Sequence, residues 1–376
     1  MNNKNPLISV CVSYYNDSAF LQEHIESFLN STYQNWELIL LNHASTDNSR
    51  EIAHSYSDPR IKHIDYPINI GAMGGLLLKE CLNQAKGKYI KFFSADDFLA
   101  PDGLETLVKY MEENPDKDFA FGNVAYVDKN SQPLNDTWFE SRKGFSLDYN
   151  EQQATKCFFD SMSIFPFAGQ VIRADSLDKS YMNNNYILLF DMTLWSSFLI
   201  NNKKFGLINH VVANYRIHDN QTTALNKREI ADMRYRFEVE AYRKMWASIT
   251  DIKTVKYLCS QSPYIDKMDD IKDIPFVMGE YFLRVCRSTY GYVILNDYFE
   301  NTENVKYVFD KFGFSMKDFR ALCAPLDVPK PENWRVCARR FKNVLSLKQI
   351  VYLFFYKLFK IKLFHKKTKK PKEYSL

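Results

Sequence analysis

The sequence predicts an α/β protein: a mainly parallel sheet with helices on both faces, followed by a mostly α-helical C-terminal region. Three observations predict it. Short, continuous apolar runs recur through the first 126 residues, with amphipathic helical stretches between them. Polar and acidic residues gather after these runs. From about residue 225 the strand pattern stops and helical periodicity dominates, without Gly-rich turns. Apolar runs that do not alternate with polar residues belong to strands covered on both faces, as parallel sheets usually are.

Residues 7–12, with Val10, Cys11 and Val12, predict the first strand. Asp17 or Ser18 can cap a helix whose apolar positions, Leu21, Ile25, Phe28 and Leu29, follow the i, i+4, i+7, i+8 spacing. Residues 37–41 form a second run, and Thr46-Asp47-Asn48-Ser49 offers the chemistry of a helix start. A third strand is expected at 61–64, a helix at 74–85 ending before Gly87, and a fourth strand at 89–93. Pro101 suits the first turn of the next helix, with Asp102 and Glu105 at its positive end. Residues 119–126 are a fifth strand. Further on, strands are expected at 170–173, 205–208 and 211–217, and helices near 151–159 and 191–200.

A chain of 376 residues has room for two or three domains. The expected division is 1–222 for the α/β domain, 223–332 for a helical region and 333–376 for a basic, apolar tail. That tail concentrates charge. Of 49 Lys and Arg, 13 lie between Asn333 and Lys372, with no acidic residue among them. The remainder holds 36 basic against 45 acidic residues, a net of −9. An acidic body argues against nucleic acid as a partner, because phosphate backbones need a basic footprint. The apolar stretch 347–364, interrupted by lysines and followed by Lys366-Lys367-Thr368-Lys369-Lys370, predicts a helix at an anionic membrane surface; a packed terminal helix is the alternative. The N-terminus has no signal-like apolar segment, and no run reaches the length of a membrane span. The seven cysteines form no CxxC pair, which points away from zinc knuckles and disulfide frameworks and toward a reducing cytoplasm.

Ligands of open α/β sheets bind beyond the carboxyl ends of the strands. Those ends carry Ser13-Tyr14-Tyr15-Asn16-Asp17, Asn42-His43-Ala44-Ser45-Thr46-Asp47 and Ser94-Ala95-Asp96-Asp97. Carboxylates of this kind suit Mg2+ or Mn2+. Asp191 stands before a helical stretch, where it can cap the helix or face a ligand. Arg216 and His218 fall on one face of their strand by alternation.

Three stretches carry a resemblance. Residues 8–49 begin ISVCVSYYNDS and continue through QNWELILLNHASTDNS. Residues 69–105 contain NIGAMGG and GKYIKFFSADD, then PDGLE. Residues 188–223 run LLFDMTLW through YRIHDNQTT. In this order they resemble the strand–P-T-Y-N, D-D-G-S-T-D, D-S-D-D and E-D-x-x-L-W blocks of family 2 glycosyltransferases, over about residues 6–222. The resemblance implies a GT-A fold and a nucleotide-sugar donor, with a UDP-sugar expected. It implies a glycan or lipid-linked glycan acceptor, an Mn2+ or Mg2+ cofactor and inversion at the transferred sugar. Asp96, Asp97 and His218 are then the metal candidates, with Ser94 where the family has its first acid. Asp191 is the catalytic base, with Phe190 in place of the preceding Glu. Ser13, Tyr14, Asn42, Asn69, Asp96 and Arg216 are the expected nucleotide-sugar contacts, Arg216 toward the diphosphate. The expected location is cytoplasmic, on the inner face of the membrane. A non-catalytic nucleotide-sugar-binding or scaffold protein is the alternative, since Asn42, Ser94 and Phe190 depart from the family pattern.

Overall fold

A computed structural model describes residues 5–69, 74–182, 186, 188–219, 221 and 228–324. The basic tail and its expected membrane helix lie outside them. Met1–Ser315 forms one compact unit and Met316–Leu376 a second.

The chain opens with β1 (Ile8–Tyr14), α1 (Leu21–Leu29), β2 (Trp36–Asn42), α2 (Ser49–His54), β3 (Ile61–Asp65), α3 (Gly74–Gln84) and β4 (Tyr89–Ser94). Every residue of β2 is buried, as a run apolar on both faces requires. A two-residue β5 (Phe98–Leu99) follows, then α4 (Gly103–Glu113), β6 (Phe119–Val127), β7 (Pro133–Thr137), α5 (Trp138–Ser141) and α6 (Glu151–Phe159). Asn150 and Gln153 close a reciprocal capping box at the start of α6. Next come β8 (Gln170–Arg173), α7 (Phe190–Ile200) and β9 (Phe205–Arg216). The helical region supplies α8 (Arg228–Trp246), α9 (Ile252–Leu258), α10 (Ile274–Arg284), α11 (Thr289–Phe299) and α12 (Thr302–Phe312). The second unit contributes α13 (Met316–Cys323).

The strands make one sheet in the order β3-β2-β1-β4-β8-β6-β9-β5, with β7 paired to β6. Parallel pairing holds for β3-β2-β1-β4 and for β6 with β9. Between these blocks β8 runs antiparallel to both β4 and β6. The sheet is therefore mixed: a continuous apolar run marks a buried strand but leaves its direction open. The strands expected at 205–208 and 211–217 are one strand, β9, whose register against β6 shifts at Gly122 and Asn123. The bulge turns Asn209 and His210 to solvent, and that polar interruption made the sequence look like two strands.

Two aromatic layers fill the core. Phe28, Trp36 and Phe93 pack under α1. On the other side Phe119 stacks on Trp195, with centroids 5.9 Å apart, and Phe121 on Phe165 at 4.2 Å. Such pairs add about 0.5–1.5 kcal/mol each beyond area burial. Trp195 is fully buried and belongs to this core layer. α7 is apolar all round because neighbours surround it. Among the described residues no helix is long and apolar enough to cross a membrane.

Candidate active site

The parallel block brings the ends of β1, β2, β3 and β4 to one edge, where Tyr14 is in register with Asn42 and Asn42 with Asp65. The loops there are fastened together. The Asn16 carboxamide oxygen accepts from Thr46 N–H at 2.8 Å, Asn16 N–H donates to Ser45 Oγ at 3.1 Å, and Ser18 N–H donates to Asp47 Oδ2 at 3.1 Å. Asn16 and Ala44 both adopt left-handed backbone, φ 59° and 57°. Asn tolerates that conformation, whereas Ala pays about 1 kcal/mol for it. The N-cap of α1 is Phe20, without a side-chain bond. Asp17 instead takes the N–H groups of Phe20 and Leu21 on its backbone carbonyl, and its carboxylate accepts from Tyr15 N–H. Ser18 donates its own N–H across the edge. The cap expected at Asp17 or Ser18 is thus spent on holding loops.

Asp96 follows β4. Its Oδ2 lies 3.1 Å from His218 Nε2, the two side chains 22% and 8% exposed. Phe20 packs against the His218 ring at 4.6 Å. Burial, with Asp96 and Asp47 close by, pushes the Asp17 carboxyl up to about 6. Among the described residues no three His, Cys, Asp or Glu side chains converge as a metal centre. One carboxylate and one imidazole are nevertheless a workable pair for a divalent ion that brings phosphate oxygens with it.

Asp97, expected beside Asp96, faces inward. It is 2% exposed, and its Oδ1 accepts the Arg216 N–H at 2.9 Å. Burial and the neighbouring Asp96 charge hold its carboxyl well above the usual range. Arg216, expected at the diphosphate, is also turned inward and 1% exposed. Nε donates to Asp96 O at 2.8 Å, Nη1 to Ser131 Oγ at 2.8 Å and Nη2 to Glu23 Oε2 at 2.6 Å. Phe20 and Phe98 flank the guanidinium. A buried cation needs such partners, and they consume the donors a phosphate would use. From the other side His24, wholly buried on α1, bonds the Asp97 carbonyl through Nδ1 at 2.7 Å. Burial lowers its imidazole to about 4, so the ring stays neutral and donates there. Arg216 and His24 together fix the turn that presents Asp96.

Asn42 is 2% exposed. Its oxygen accepts Ser45 N–H at 2.9 Å and its amide donates to Asp65 Oδ1 at 3.0 Å. Asp65 also receives Arg50 and His54, which hold its carboxyl below the usual range against the cost of burial. Tyr14 is 3% exposed, whereas Tyr15 is 44% exposed, its ring 6.4 Å from His43, which in turn packs on Tyr66. Ser13 is half-buried in register with Ser94, and Asn69 is exposed beyond β3. The residues that reach the rim are therefore Tyr15 and Asp65, next to the expected Tyr14 and Asn42. Strand alternation carried a signal for Tyr15 over Tyr14; only the β2–β3 register exposes Asp65.

Asp191 lies in the first turn of α7, one residue inside the helix, and not at its cap. Its Oδ1 accepts Met192 N–H at 2.8 Å. The capping role belongs to Glu238 of α8, whose Oε2 accepts Leu188 N–H at 2.8 Å and Leu189 N–H at 3.0 Å. Burial pushes the Asp191 carboxyl up to about 6, opposed by the Met192 N–H and the Arg142 charge. The neighbouring Phe190 ring meets Phe167 at 6.3 Å. The structure joins Asp96 and His218 directly. Elsewhere, Arg142, whose charge favours the ionised form of Asp191, lies over Trp138, and Trp138 packs against Tyr215 of β9.

Residues 9–179 match the family model described as glycosyl transferase family 2. An uncharacterised glycosyltransferase of Methanocaldococcus jannaschii, MJ1057, is 31% identical over 232 residues, covering 60% of this chain and 76% of that protein. A putative teichuronic acid biosynthesis glycosyltransferase of Bacillus subtilis, TuaG, is 30% identical over 36% of this chain and 53% of its own length. The Escherichia coli UDP-Glc:alpha-D-GlcNAc-diphosphoundecaprenol beta-1,3-glucosyltransferase WfgD is 33% identical over 33% of this chain and 48% of its length. The mixed sheet, its loaded carboxyl edge and these matches define a GT-A glycosyltransferase. The chain belongs to glycosyltransferase family 2.

Proposed function

We propose that this enzyme inverts the sugar it moves, taking it from a UDP-linked donor to a hydroxyl of a glycan or lipid-linked glycan. The observation that carries the reading is Asp191: a carboxylate at the start of a buried helix, raised to about 6. A base near that value is charged at neutral pH yet more basic than an ordinary carboxylate. Asp191 takes the acceptor hydroxyl proton as that oxygen bonds to the sugar C1. The bond from C1 to the phosphate oxygen breaks on the opposite face, and the electron pair leaves with the nucleoside diphosphate.

On the donor side, Tyr15 offers a ring face to the base and Asp65 an acceptor to its edge, with Tyr14, Asn42 and Ser13 behind them and Asn69 beside them. Asp96 and His218 would hold Mn2+ or Mg2+ with the diphosphate; the ion neutralises leaving-group charge when bound. Asp97 and Arg216 act from behind, by aiming Asp96. A UDP donor and a lipid-linked acceptor are supported by the name of WfgD, and the basic tail at 333–376 supports docking on the anionic inner face of the membrane.

The test is transfer from UDP-, GDP- and dTDP-sugars to glycoside acceptors, with the product anomer read by NMR. Inverted product from a UDP-sugar, lost in Asp191→Asn and Asp96→Ala, is the expected result. Retention at C1, or near-normal turnover in either variant, overturns the assignment it touches. Co-sedimentation with phosphatidylglycerol vesicles, lost on deleting 333–376, tests the tail.

A further inference from the structure

Arg216 is buried and fully committed, whereas Arg142 is not. Arg142 is exposed, and among the described residues its guanidinium makes no hydrogen bond or ion pair. It lies over the Trp138 ring, 4.2 Å from the centroid. Trp138 is half-buried, anchored by its indole N–H on the Ile164 carbonyl at 3.3 Å. Tyr126 and Tyr215 complete the surface, each centroid 6.5 Å from Trp138 and 6.0 Å from one another. The segment is braced from behind. Buried Phe139 stacks on Phe145 at 4.3 Å, and Phe145 N–H donates to the Arg142 carbonyl at 2.9 Å. Gly144, φ 81°, makes the tight return possible, since an L side chain rarely adopts that backbone. Tyr126 and Tyr215 are paired across β6 and β9, and the next residue, Arg216, donates its backbone N–H to Asp97 at 2.9 Å, so this surface adjoins the turn that carries Asp96.

A guanidinium lying on an aromatic face keeps its N–H edge free, and that edge matches two oxygens of a carboxylate or phosphate. Aromatic faces take the C–H faces of pyranose rings. The rest of the body, outside the basic tail, carries a net negative charge, so Arg142, with exposed Lys143 next to it, is a local basic spot and not part of a general basic field.

We propose that Tyr126, Trp138, Tyr215 and Arg142 form the acceptor subsite, and that it takes a pyranose bearing anionic oxygens. The source of those oxygens is a uronate carboxylate or a phosphoester. The proposal rests on Asp191 being the base of the reaction. Its test is direct titration of the full chain, with and without UDP, using methyl glucoside, methyl glucuronoside and glucose 1-phosphate, read by saturation-transfer NMR. An anionic sugar is expected to bind about tenfold tighter than the neutral one. Which of the two gains identifies the source. Arg142→Gln is expected to bring all three within about twofold, and Trp138→Leu to weaken all three. No preference in the wild type, or a preference that survives Arg142→Gln, overturns the proposal. Failure of UDP to bind while the preference persists counts against the UDP donor and leaves the subsite standing.

Discussion

The rim formed by the loops after β1, β2 and β4 and the surface around Asp191 are built in opposite ways. On the first, nearly every polar group is committed. Asn16, Asn42, Asp47, Asp97 and Arg216 bind backbone or one another across segments far apart in sequence. The second is three half-exposed aromatic rings, one uncommitted guanidinium and one carboxylate held by a single adjacent N–H. A nucleoside diphosphate is a constant ligand, and a pre-set frame avoids ordering cost when it binds. An acceptor surface of flat rings takes shape from what lies on it. On the proposed assignment of the two surfaces, the difference teaches that preorganisation is concentrated on the donor side, while choice of acceptor rests on few side chains.

The largest effect that can break this comparison is at Asp191. Asp191→Asn is expected to lower kcat by about 10²–10⁴-fold with UDP binding unchanged. If UDP affinity falls in step, the two surfaces are not separable. The same carboxylate sets a pH limb. As the proposed base it must be deprotonated, so kcat/KM should decline as pH drops through about 6, and a flat profile down to pH 5 would count against it. Next is Arg216→Ala. Removing a buried guanidinium and leaving Glu23 and the Asp96 carbonyl without it should cost about 3–5 kcal/mol, reduced by the part-exposure of Glu23, and lower Tm. Arg216→Lys should recover little, because one ammonium cannot meet divergent partners. Smaller again is Tyr15→Ala, expected to weaken UDP binding by about 1–3 kcal/mol while glycoside binding holds. Smallest is Glu238→Ala, a lost helix cap worth about 0.5–2 kcal/mol by thermal unfolding, with Glu238→Gln close to wild type because its amide oxygen still accepts both N–H groups.

Much of the molecule is legible from residue order alone. Continuous apolar runs located β1, β2, β4 and β6, because a strand covered on both faces leaves no other pattern; β3, with Lys62 and His63, is a partly exposed edge strand. The convergence of polar residues after those runs located the rim. What periodicity cannot carry is long-range pairing. Nothing near Arg216 foretells Glu23, and nothing near Leu188 foretells Glu238. Residue type drew attention to Arg216 and Asp97 as ligands, yet the fold spends the Asp97 carboxylate on the Arg216 backbone N–H and the Arg216 guanidinium on the Asp96 carbonyl, Ser131 and Glu23. Arg142 sits in a stretch without strand or helix signal, and only its position over Trp138 gives it a role.

The cap that α8 places on α7 has a practical consequence. The segment bearing Asp191 is tied at Leu188 and Leu189 to Glu238, and at Ser196 to Tyr242, whose hydroxyl also reaches the Phe158 carbonyl. A shortened protein ending after β9 would lose both ties. Anyone wishing to crystallise the sugar-transferring half by itself should keep the chain at least through α11, where the packing of α10 closes.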